Sequence, residues 1–111
     1  MTTKPLAVLS DVITDVHTRV QTDFKNINPV VGVSHNMRAS GVPADVITID
    51  CLTSGKRIIL LLHDEQPEIV RYQFCLRDKD PEGDFEIIQL GELTTRKLYD
   101  WVVAYFLPPG D

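Results

Sequence analysis

The side chains best equipped for chemistry fall in a few short stretches. Ser34-His35-Asn36-Met37-Arg38 gathers hydrogen-bond donors in a chain whose charge is otherwise mostly acidic. Arg38 offers a planar fork that grips a carboxylate or phosphate with two hydrogen bonds, and His35 and Asn36 add directional contacts beside it. His63-Asp64-Glu65 sets carboxylates beside an imidazole, the pairing that tunes a general base near neutral pH. Neighbouring side chains on a strand point to opposite faces, however, and no serine or cysteine nucleophile is identifiable near His63. Its expected role is that of a strand-end residue hydrogen-bonded at a turn. With Arg71, these residues make up the candidate ligand-binding set: His35, Asn36, Arg38, His63 and Arg71. The plainer reading has Ser34 and Asn36 making local turn bonds and Arg38 pairing with one of the chain's own carboxylates; Arg71 carries the same ambiguity.

Cys51 and Cys75 lie inside apparent strands, at no redox-like or metal-like spacing, so reduced and packed thiols are expected. Asp78-Lys79-Asp80-Pro81-Glu82-Gly83 puts oxygen ligands at loop positions 1, 3 and 5 and glycine at 6. It resembles the start of an EF-hand calcium loop. Position 12 is Gln89 in place of a bidentate Glu, Pro81 stiffens the loop, and strands flank it in place of helices. An acidic, solvated hairpin turn is therefore the expectation, and no metal or cofactor is predicted. The chain has no glycine-rich phosphate loop, paired-cysteine zinc pattern, His-x-x-x-His pair or nucleophile-elbow sequence. No catalytic residue is predicted, and a non-enzymatic role is favoured over a site built from scattered residues.

Sixteen acidic residues against eleven basic ones give a formal charge of -5 over 111 residues. That sign disfavours wrapping a phosphate backbone, and no aromatic residues interleave with the adjacent basic pairs Lys56-Arg57 and Arg96-Lys97, so nucleic acid is discarded. The longest strong apolar run, Ile58 to Leu62, falls far short of the ~20 residues of a membrane span, and no apolar segment follows Met1 to Pro5 as in a signal peptide. The expectation is one cytoplasmic domain over residues 1–111, with residues 1–4 disordered and 108–111 a tail.

The elements that must position these residues are legible from periodicity. Leu9, Val12, Ile13, Val16 and Val20 recur at helical spacing from Pro5 to about Asn26, with Phe24 extending the stripe. Residues 28–43 read as a loop, with Val30 to Val33 as a short edge strand. Four strands are predicted at Val46 to Leu52, Arg57 to His63, Glu68 to Leu76 and Asp84 to Leu90. Their short connectors force antiparallel pairing. A closing helix follows Thr94, a good N-cap, with Leu93 and Leu98 placed to staple its start.

The sequence thus predicts an α+β fold: an N-terminal helix, a four-stranded antiparallel meander with a fifth candidate strand near Val31, and a C-terminal helix. Both helices lie on one sheet face. The strand Arg57 to His63 has Ile58, Leu60 and Leu62 on one side and Ile59 and Leu61 on the other, so something must cover both. A homodimer or another protein partner is expected there. The functional expectation is a small interaction module, an adaptor, chaperone-like or inhibitor protein. The alternative is a domain, or an unrecognised enzyme, binding a small anionic metabolite with the open sheet face and the 34–38 loop.

Overall fold

The computed structural model describes residues 5–24, 27, 29–78 and 83–107. Its elements are helix α1 (Pro5–Asp23), strand β1 (Pro29–Ser34), a one-turn helix α2 (Asn36–Ala39) and strand β2 (Ala44–Cys51). Strands β3 (Lys56–His63), β4 (Ile69–Leu76) and β5 (Glu86–Gln89) follow. A short 3-10 turn at Leu90–Glu92 then leads into helix α3 (Thr95–Phe106). Among the described residues no helix is long and apolar enough to cross a membrane.

The strands form a meander in the spatial order β1-β2-β3-β4-β5, every pair antiparallel. The edge strand is therefore real, and the sheet has five strands. Gly55 turns the β2–β3 hairpin with a φ of 73°, a backbone conformation that costs glycine little because it has no Cβ. The register aligns Ile47, Leu60 and Tyr72 in one row and Ile49, Ile58 and Phe74 in the next.

Those rows define the covered face. Leu9, Ile13, Val16 and Val20 of α1 and Leu98, Val102 and Phe106 of α3 are buried in one cluster with Ile47, Ile49, Cys51, Ile58, Leu60, Leu62, Val70 and Ile88. Both helices therefore pack on the same side of the sheet. The start of α3 follows from its residues: Thr94 accepts a hydrogen bond from the Lys97 N–H at 3.2 Å, and Leu93 and Leu98 are both fully buried beside it. At the far end of α1, the Tyr99 hydroxyl donates to Asp23 at 2.6 Å and ties the two helices together.

Some expected bounds change. Helix α1 ends at Asp23, sooner than Asn26, with Lys25, Asn26 and Asn28 outside the described residues. The stretch after β1, expected to be all loop, contains α2, whose single turn is too short to leave a periodic signal. The expected terminal segments 1–4 and 108–111, and most of the EF-hand-like turn, also lie outside the described residues.

Candidate functional site

At the end of the sheet where β1 passes into β2, α2 leans over the start of β2 and holds Arg38 between two carboxylates. The Arg38 Nε and one Nη donate to the two oxygens of Asp45, each at 2.9 Å. The same guanidinium donates to both oxygens of Asp64 at 2.7 and 2.8 Å. The imidazole of His35 lies 2.7 Å from Asp45 through Nδ1. Asp45 is buried, at 5% exposure, and needs this array because an unpaired buried carboxylate is costly. Arg38 holds the Asp45 carboxyl below its usual range, against the opposing effect of burial, and does the same for exposed Asp64. In return Asp64, and then Asp45, keep the guanidinium more firmly protonated than usual.

This cluster borders a cleft of about 490 Å³ lined by Pro5, Leu6, His35, Arg38, Leu62 and His63 among others. Three of the five sequence candidates, His35, Arg38 and His63, therefore converge on one cavity. His63 also accepts a hydrogen bond from the Glu65 N–H at 3.2 Å, as a strand-end residue at a turn does. Asn36 begins α2, its backbone N–H donating to the Ser34 hydroxyl at 3.3 Å, and it does not line the cleft. Arg71 lies apart, in register with Leu61 and Ile87, where it donates to the Gln66 side chain. Within the cleft one guanidinium faces two carboxylates that take four hydrogen bonds from it, so an arriving anion competes with them for Arg38.

The sheet face opposite the helices is the larger feature. Reading across it in register gives Ser34, Val46, Leu61, Arg71 and Ile87 in one row. The next row is Gly32, Thr48, Ile59 and Gln73, and the one after it Val30, Asp50, Arg57 and Cys75. Val46, Ile59 and Leu61 are half-buried, whereas Ile87 at 58% and Val30 at 44% stand exposed. No described element packs over these rows.

Asp50 is the node of this face. Arg57, directly across the hairpin, donates to it at 2.7 and 3.0 Å, and Arg77 reaches it at 3.3 Å. The pairing with Asp50 keeps Arg57 more firmly protonated than usual. Sequence reasoning missed this node, although its signal is present: opposite charges placed symmetrically about Leu52-Thr53-Ser54-Gly55 become cross-strand partners once the hairpin closes.

Trp101 and Tyr105 of α3 pack on β4 at the covered face. Trp101 lies 4.5 Å from the ring of Tyr72 and 5.6 Å from that of Phe74, and Tyr105 stacks on Phe74 at 5.0 Å. The Tyr105 hydroxyl donates to the Cys75 carbonyl at 2.9 Å. Cys51 is buried and Cys75 half-buried, both as free thiols, and burial raises the Cys75 pKa. No cluster of three or more metal-binding side chains occurs among the described residues.

Comparison with family models, curated proteins and solved structures finds no match to this chain.

Proposed function

We propose that this chain is a non-enzymatic protein-interaction module of the cytoplasm, taking a partner protein on the sheet face opposite its helices. The observation that carries the reading is the uncovered patch formed by Val46, Ile59, Leu61 and Ile87 across β2 to β5. A two-layer fold with both helices on one side leaves such a patch in water, and contiguous apolar patches on a monomer mark interaction sites.

The size of the face supports the reading. Strands about 4.8 Å apart, rising about 3.3 Å per residue, give the five strands a face on the order of 500 Å² in projection. Side-chain relief enlarges that figure toward the roughly 800 Å² that a stable complex buries on each partner. The test is binding of native partners by the wild type and by Leu61→Lys, with circular dichroism as the check on folding. A stoichiometric protein retained by the wild type and lost by the folded variant supports the reading; equal retention by both refutes it.

A second reading rests on the convergence of His35, Arg38 and His63 on the 490 Å³ cleft. There a small anionic metabolite would replace Asp64, the more exposed of the two carboxylates, in the Arg38 fork. Thermal stabilisation by phosphate or citrate that disappears in Arg38→Met would favour it; identical melting with and without these anions would remove it.

A further inference from the structure

From the charges of the open face we infer that its partner presents an acidic amphipathic segment: an apolar ridge flanked by carboxylates. The inference rests on the interaction reading above and names the partner's chemistry. Within the five strands this face carries Arg57, Arg71 and Asp50, and Arg77, directly after β4, folds back onto Asp50. Arg57 and Arg77 share the one Asp50 carboxylate, and Arg71 donates instead to the neutral side-chain amide of Gln66. The face is locally positive in a chain of net charge -5.

The geometry of the patch adds direction. The apolar residues Val46, Ile59, Leu61 and Ile87 form a band across the sheet. Arg71 stands within that band between Leu61 and Ile87, while the Asp50, Arg57 and Arg77 node borders it toward the β2–β3 turn. An occupant that fills the band with leucine-like side chains brings its flanking residues over the guanidinium groups. Carboxylates there gain bidentate hydrogen bonds, and ammonium groups meet like charge in a partly desolvated contact.

The same count argues against a second copy of this chain stacked face to face. Such a pair brings six arginines together with only the two Asp50 carboxylates already engaged within each face. A nucleic acid finds the arginines but no aromatic ring on these rows to stack its bases, and it meets the repulsion of the whole chain's charge.

The test uses the full chain and two synthetic helical peptides sharing one leucine stripe, flanked by glutamates in one and by lysines in the other. Fluorescence anisotropy should show the glutamate peptide binding at least roughly tenfold more tightly, with the preference shrinking as salt is raised. The double change Arg71→Gln with Arg77→Gln should erase the preference. Arg96→Gln, on the exposed outer side of α3, should leave it intact. Equal binding of both peptides, abolished by Leu61→Lys, overturns the charge inference and leaves the interaction face standing. Binding of neither peptide, a face-to-face dimer at working concentration, or preferential binding of an oligothymidine also overturns it. The interaction reading itself is decided separately by retention of native partners in the Leu61→Lys comparison.

Discussion

Replacing Arg57 by methionine keeps most of the apolar stem and removes the guanidinium that makes two of the close bonds to Asp50. Asp50 is 7% exposed, so its carboxylate is left nearly dry, with Arg77 at 3.3 Å as its remaining ion-pair partner. Removing one partner of a fully buried pair costs about 3–5 kcal/mol. Arg57 retains 28% side-chain exposure and Arg77 stays in place, which brings the expected loss down to about 2 kcal/mol. For a domain of this length that lowers the melting temperature by about 8 °C. Urea unfolding followed by circular dichroism and Trp101 fluorescence reads the stability, and a cycle with Asp50→Asn isolates the pair. The cycle should show a coupling of about 1–2 kcal/mol. A loss below about 0.5 kcal/mol for Arg57→Met, with no coupling, would refute the reasoning that Asp50 is an enclosed charge depending on Arg57.

Three further outcomes follow from particular contacts. Arg38 depresses the pKa values of Asp45 and Asp64 in the folded chain below the unfolded value near 3.8, so the stabilisation is present above that pH and fades as pH falls through the folded values. Arg38→Met should therefore flatten the acid arm of a stability-against-pH curve below about pH 4, and an unchanged slope there would count against the double clamp. Because burial raises the Cys75 pKa, alkylation kinetics should place its thiolate above the ordinary thiol value, with buried Cys51 reacting only on unfolding; fast labelling of both at neutral pH would contradict the packing described. Strand β1 is a sheet edge exposing Val31 and Val33, so Val33→Lys should slow aggregation in light-scattering assays while changing stability by less than about 1 kcal/mol. Aggregation at the wild-type rate would show that this edge is not the route.

The fold was largely legible in the sequence because its main signals are local. The stripe Leu9, Ile13, Val16 and Val20 fixes α1, and the alternation Val70, Tyr72 and Phe74 against Arg71 and Gln73 assigns the faces of β4. Thr94 marks the start of α3 by a bond it makes within its own turn. Helix α2 left no such signal, having four residues and an anchor, the Arg38 fork on Asp45 and Asp64, that joins segments far apart in the chain. Strand β5 is shorter than the stretch from Asp84 to Leu90 because Leu90 turns into the 3-10 segment before α3.

The candidate site was legible in its residue types and not in its pairings. His35, Arg38 and His63 reach one cleft because the β1–β2 connection and the end of β3 meet at the same sheet end, a consequence of register. Arg71 does not join them; the period of two along β4 puts it on the opposite face. What the sequence could not convey is that Arg38 is held by two carboxylates at once. That leaves the cleft acidic on balance and moves the functional weight to the open face.

The central claim is most directly tested by placing a photo-reactive phenylalanine analogue at Leu61, and separately at Ala7 on the exposed outer face of α1, then irradiating the chain in its native cells. The account predicts one discrete adduct with a second, different protein from the Leu61 position and none from Ala7. No adduct from Leu61, or the same adducts from both positions, would contradict it.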